Sequence, residues 1–393
     1  MTEKWKGLVY TVQSFKKSVK EELDSENGLF HEELNGDSPI EFFGLNVNQD
    51  NPNTYLVDTS EVLFWHDPTA YLDEMERWSN KVEADKYENV KNYLIETGQE
   101  TQFRRLINAI KKQRIAPFIG AGLSKNYDFP LWGEALEAIF NKVRLNENID
   151  DEIRAKISNH LEMYEYIEAA DALYKLNDVL VSNYLLNNFD ADKAKAKLNS
   201  ETKGIASLLP ELTDSCVITT NFDGIIEQVF LNAQKPIQGY MYGIQQENQF
   251  AAKLVQGEKC ILKLHGNFDA QDSHIFSSSQ YKDAYGETKI DYTKQLPRTL
   301  RQIFISHSLL FIGCSLYQDK TLEVFQDIID SKSFDIPSHF SIMPSSSNLN
   351  GKESSLLDLK IQPIWYEVTG HDHSQLEEML HFSIDCAKGK VSF

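Results

Sequence analysis

The chain has 393 residues, enough for roughly two to three domains, and its 41% hydrophobic and 11% aromatic content can fill a sizeable core. It carries 39 Lys and Arg against 59 Asp and Glu, a formal net charge of −20. A field of that sign repels nucleic acid and anionic membrane over most of the surface, so an anionic ligand has to be held by local dipoles and a few placed groups. Cys216, Cys260, Cys314 and Cys386 stand far apart with no CxxC pair. That spacing argues against a disulfide scaffold or a zinc ribbon, so no metal is expected, and it fits reduced thiols in a reducing compartment. The N-terminus shows no signal-peptide h-region, and no run approaches the roughly 18 apolar residues of a membrane span. A soluble cytoplasmic protein is the expectation.

Residues 1–100 contain polar, turn-rich stretches such as LNGDSPIEFFGLNVNQDNPN. Strand-like pieces follow at 54–57 and 62–65, and helical patterns at 68–81 and 83–97. No chemical motif is visible there, and the region reads as an accessory or oligomerisation element. Residues 101–393 read as one nucleotide-binding domain. It opens with a helix at 102–113, whose Phe103, Leu106, Ile107 and Ile110 recur at helical spacing. An apolar strand follows at 115–119. From 133 to 210 the pattern is helical, as an insertion between the first two strands of a nucleotide fold would be. Strands are then predicted at 216–220, 259–264, 274–276, 309–314, 339–343 and 363–368, and helices at 224–233, 292–306, 321–329 and 374–386. Strands without polar alternation, separated by helices, predict an α/β fold: a Rossmann-like parallel sheet with helices on both faces.

Four strand ends carry chemistry-bearing residues, and in open parallel sheets ligands bind beyond the C-terminal strand ends. The first is Gly120-Ala121-Gly122-Leu123-Ser124, a glycine turn that lets backbone amides approach a phosphate; it lacks the third glycine of GxGxxG and reads equally as a plain strand–helix turn. The second is Thr219-Thr220-Asn221-Phe222-Asp223. Asp223 is either a helix cap or a ligand, whereas Asn221 offers a neutral amide for a ribose hydroxyl or a water. The third is Lys263-Leu264-His265-Gly266, where His265 is either a hydrogen-bonded structural residue or a proton-transfer group suited to neutral pH. The fourth carries Gly313 and Ser315, with Asp319 as a further cap or ligand. His371 and His373, two apart with no third ligand, make a poor metal pair.

Taken in order, GAG-x-S, TTNFD, KLHG and GCS-x-x-x-D resemble the sirtuin superfamily, and specifically its sirtuin-like bacterial branch, over about residues 102–387. The resemblance implies NAD as substrate, with Asn221, His265 and Asp223 as the catalytic set. It implies Gly120, Ala121, Gly122, Ser124, Thr219, Gly313 and Ser315 as contacts to the dinucleotide. Two features depart from the deacylating sirtuins. Their paired CxxC zinc module is missing, and Phe129-Pro130-Leu131-Trp132 stands where they carry a G-I-P-x-F-R element. Loss of the zinc module puts peptide binding in doubt and leaves the NAD-cleaving half intact, and the combination resembles NAD-depleting effectors of bacterial anti-phage systems.

The expected reaction is therefore hydrolysis of NAD to nicotinamide and ADP-ribose, gated by the N-terminal region or the helical insert. The resemblance implies a homo-oligomer and a HerA-type ATPase or another defence sensor as partner. Two other classes compete. A protein deacylase would consume NAD against an acyl-lysine peptide, and a non-catalytic NAD or ADP-ribose sensor would bind without turnover.

Overall fold

The computed structural model describes residues 3–36, 39–43, 54–145, 149–200, 204–245, 249–316, 320–345, 349–368, 370 and 372–393. Asp319 and His371 lie outside the described residues. The chain divides into two compact units, 1–88 and 89–393.

The first unit contains a long helix, Glu3–Asn35, and an antiparallel pair of strands, β1 (Ile40–Phe43) and β2 (Thr54–Val57), followed by helices Thr59–His66 and Pro68–Lys86. Phe30, His31 and Tyr71 are buried together, with His31 Nε2 and Tyr71 Oη 2.6 Å apart. The strand expected at 62–65 is instead the end of helix Thr59–His66. A short apolar run such as VLFW has no periodicity of its own to separate helix from strand, and here Glu61 in the first turn favours the helix end it sits near.

The second unit is built on seven parallel strands. They are β3 (Ile115–Ile119), β4 (Cys216–Thr219), β5 (Gly239–Tyr242), β6 (Cys260–Lys263), β7 (Ser308–Ile312), β8 (His339–Pro344) and β9 (Ile361–Tyr366), in the order β5-β6-β4-β3-β7-β8-β9. Every residue of β3, β4 and β6 is buried, as expected for strands covered on both faces. Helices flank this Rossmann-like sheet. Between β3 and β4 the described residues hold helices Trp132–Val143, Asp151–Glu162, Tyr166–Leu176, Asp178–Asn188 and Ala191–Ser200, and no strand.

Two sequence expectations need correction. Residues 274–276 are not a strand. Ile275 and Phe276 are fully buried, but they sit between a 3-10 turn (Gln271–Ser273) and helix Ser278–Tyr285. Burial alone had imitated a strand. Conversely, β5 was missed because it is an edge strand of alternating exposure. Its Gly239 lies so close to β6 that a Cβ would come within 2.5 Å of Cys260 Sγ.

A buried histidine gives the fold a pH signature. His339 opens β8, fully buried, with its ring stacked on Phe304 and its Nδ1 accepting the Leu309 amide at 3.0 Å. Burial pushes its pKa down to about 3, against about 6.5 in an unfolded chain. The neutral ring is thus a native-state property, and protonation favours unfolding. The stability it contributes is full above pH 6.5 and is lost as pH falls towards 3, at about 1.4 kcal/mol per pH unit. His339→Asn keeps an acceptor for Leu309 and removes the titration. Urea unfolding between pH 6.5 and 4.5 is expected to show a slope against pH shallower by about that amount.

Candidate active site

The four strands that carry the motifs are contiguous in the sheet, in the order β6-β4-β3-β7, and all run parallel. Their C-terminal tips therefore lie side by side on one edge. The chain leaves β3 towards β4 and returns from β6 to β7 on the other flank of β3. The reversal point, where ligands settle in such sheets, falls between the tips of β3 and β7.

The glycines there are fixed by close approach. The Gly120 amide donates to the Ile312 carbonyl at 3.0 Å, and the Gly122 amide donates to the Gly313 carbonyl at 3.0 Å. A Cβ on Gly122 would sit 2.9 Å from Gly313 O. Gly313 itself has φ +67°, and a Cβ there would sit 2.6 Å from the Leu123 amide nitrogen. Two amides expected to face a phosphate are thus spent joining one strand tip to the other, and the helix they open, Ala121–Lys125, is only five residues long. Gly313→Ala is expected to cost about 2–4 kcal/mol, since it meets both left-handed backbone strain and a backbone atom that cannot yield. Thermal unfolding measures this directly.

Asn221 is buried and closes the glycine turn from the β4 side. Its Nδ2 donates to Gly120 O at 3.0 Å and to Ser124 Oγ at 2.8 Å. Its amide donates to Thr219 Oγ1 at 3.0 Å, and that hydroxyl donates to Ile119 O at 2.9 Å. Asn221, Ser124, Gly120 and Thr219 therefore form one hydrogen-bonded knot. Asp223 is also buried. Its Oδ1 accepts the Ile225 amide at 3.0 Å, the capping role. Its Oδ2 is buried with no hydrogen-bond partner among the described residues, and an orphaned carboxylate oxygen at a strand tip calls for a water or a hydroxyl. Ala121 is half-buried and Gly122 and Ser315 are exposed at the same edge.

His265 follows β6, beside the β4 tip, where the Leu264 amide donates to Thr219 O at 2.8 Å. The imidazole is half-buried among three rings: Tyr281 at 5.9 Å, Phe222 at 6.4 Å and Trp132 at 6.4 Å between centroids. Its Nε2 lies 3.2 Å from Tyr281 Oη. Phe222, the residue after Asn221, thus touches His265 from the neighbouring strand end. Trp132 lies over Phe222 at 6.2 Å with the planes 24° apart.

Three residues of this cluster were given no role by the sequence. Trp132 was noted only as part of a departure from the sirtuin pattern, and Tyr281 lies on a helix that carried no signal. The third is Lys263, fully buried at the end of β6. Its Nζ donates to Phe222 O at 3.2 Å, Asp223 O at 2.6 Å and Asn267 Oδ1 at 2.6 Å, and pairs with Glu227 at 2.8 Å. It ties the loop bearing Asn221 to the loop bearing His265. A lysine inside an otherwise apolar strand was the available signal.

Residues 215–364 match the SIR2-like domain. The matched span takes in the β4, β6 and β7 tips; the glycine turn lies before it. The chain is also similar to two curated proteins named NAD(+) hydrolase ThsA. The protein from Cytobacillus dafuensis is 21% identical over 227 residues, 58% of this chain and 40% of that protein. The protein from Enterococcus faecium is 24% identical over 225 residues, 57% of this chain and 42% of that one. The chain thus spans about two-fifths of the length of these curated relatives. Among the described residues no helix is long and apolar enough to cross a membrane, and no His, Cys, Asp and Glu cluster could hold a metal ion.

Proposed function

We propose that this SIR2-like domain hydrolyses NAD to nicotinamide and ADP-ribose, as an NAD-depleting effector of anti-phage defence. The observation that carries the reading is the adjacency of Asn221 and His265 on the tips of paired parallel strands, bridged by Phe222. A buried amide and a half-buried imidazole on neighbouring strand tips, beside the reversal point at β3 and β7, suit a reaction that needs a held sugar and a proton acceptor. The name shared by the two relatives points the same way.

In this mechanism a water oxygen attacks the anomeric carbon of the nicotinamide ribose. The carbon–nitrogen bond breaks, its electron pair leaves with neutral nicotinamide, and the water proton passes to His265. Positive charge grows on the sugar in the transition state, so the protein has to shield a cation and hold the ribose rather than protonate the leaving group. The faces of Trp132 and Phe222 beside the imidazole supply a polarisable wall for that charge. Asn221, held by the glycine turn, orients the ribose and the water. The orphaned Oδ2 of Asp223 accepts a hydroxyl of the same polar network.

The test is incubation of the purified chain with NAD while nicotinamide and ADP-ribose are followed by chromatography. Equimolar release of both supports the reading. Turnover that depends on an acyl-lysine peptide makes the protein a deacylase, and saturable NAD binding without products makes it a sensor.

A further inference from the structure

The helical stretch between β3 and β4 reaches the histidine through a short series of contacts. In helix Tyr166–Leu176, Asp171 Oδ1 accepts the Ser278 amide at 2.8 Å, while Asp171 Oδ2 pairs with Lys175 at 2.7 Å. Ser278 begins helix Ser278–Tyr285, whose start is further locked by a capping box. The Ser277 hydroxyl accepts the Gln280 amide at 3.3 Å, and Gln280 Oε1 accepts the Ser277 and Phe276 amides at 2.8 Å each. One turn on, Tyr281 projects to His265. Its ring meets the imidazole edge to face and stacks on buried Tyr285 at 6.2 Å. Tyr174 of the Asp171 helix also packs on Phe276 at 6.3 Å.

We propose that Tyr281 is the positioning residue for His265, and that Asp171 holds Tyr281 in place, so that the helical insert sets the state of the imidazole. The inference rests on the reading of His265 as the base in NAD cleavage. A histidine that takes a proton on Nδ1 must carry its hydrogen on Nε2, and the partner of one ring nitrogen fixes the other. The Tyr281 oxygen, 3.2 Å from Nε2, is the acceptor placed for that hydrogen. Asp171 acts at a distance by satisfying an otherwise unpaired first-turn amide of the Tyr281 helix. Movement of the insert would withdraw that acceptor, tilt the helix and release the ring.

The experiment uses the full chain, with kinetics and ¹⁵N spectra of the histidine imidazoles read together. Tyr281→Phe keeps the ring contacts and removes the oxygen. It is expected to lower kcat for nicotinamide release about tenfold, with KM for NAD and the melting temperature unchanged, and to move the Nε2 resonance of His265 while the other histidines stay. Asp171→Ala is expected to lower kcat in the same way, Asp171→Asn to restore most of the loss, and the double variant with Tyr281→Phe to be no worse than Tyr281→Phe alone. An unchanged His265 resonance in Tyr281→Phe, or an effect on KM rather than kcat, overturns the positioning role. Wild-type kcat in Asp171→Ala removes the insert from it. A wild-type chain that releases no nicotinamide overturns the hydrolase reading alone, and the spectra still decide whether Tyr281 sets the imidazole.

Discussion

Replacing His265 with alanine is expected to lower nicotinamide release from NAD by about 10²–10⁴-fold, the loss that follows removal of a positioned general base. The fold should survive, because the ring is half-buried and packs against neighbouring rings. Asn221→Ala is expected to be as inactive for a compound reason. It removes the ribose-orienting amide, and it also strips two hydrogen bonds from the glycine turn at Gly120 O and Ser124 Oγ. Asn221→Asp sharpens the test, since it sets a carboxylate against the Gly120 carbonyl and should be both inactive and less stable. Product formation by His265→Ala at the wild-type rate would remove the imidazole from the mechanism. NAD affinity, measured by calorimetry, should change little in His265→Ala and fall in both Asn221 variants.

Lys263→Met is expected to destabilise the second unit by about 3–5 kcal/mol, the cost of stranding one member of a buried ion pair. Glu227 would lose its counter-ion, and Phe222 O, Asp223 O and Asn267 Oδ1 would lose their common donor. The double change Lys263→Met with Glu227→Leu removes the stranded carboxylate, so it should recover part of that loss and leave only the unsatisfied oxygens. Urea unfolding of the four proteins in the cycle measures the coupling directly. Activity should not return with stability, because the lysine also registers the Asn221 loop against the His265 loop. A double variant restored in both respects would reduce Lys263 to a packing residue.

The parallel sheet was legible because buried strands announce themselves locally. IAPFI, CVI and LLFI are unbroken apolar runs, each ended by a polar or glycine turn. The histidine and the asparagine were legible for the same reason, as polar residues at the ends of such runs. Tyr281 and Trp132 were not. Trp132 opens a helix whose apolar spacing with Ala135, Leu136 and Ile139 accounts for it, Tyr281 lies on a short helix with no signal of its own, and only packing brings the rings to His265. The glycine turn was read in the right place with a different use for its amides. A GAG sequence states that the backbone comes close to something. The partner, here the Gly313 carbonyl, belongs to a segment far along the chain.

By itself, the amino-acid order determined the class of fold, the four strand tips that bear glycine and polar motifs and the absence of a zinc-type cysteine pattern, because periodicity, turn residues and spacing are properties of short windows. Tertiary structure decided that those four strands are neighbours, that Asn221 locks the glycine turn, that Lys263 is buried against Glu227, and that a helix of the insert reaches the imidazole through Asp171 and Tyr281. These contacts join segments far apart in the chain, as Ile115 of β3 beside Ser308 of β7 and Asp171 against Ser278 show, and no local rule of pairing specifies them. They are set by which apolar faces can be buried together, and that is a property of the whole chain.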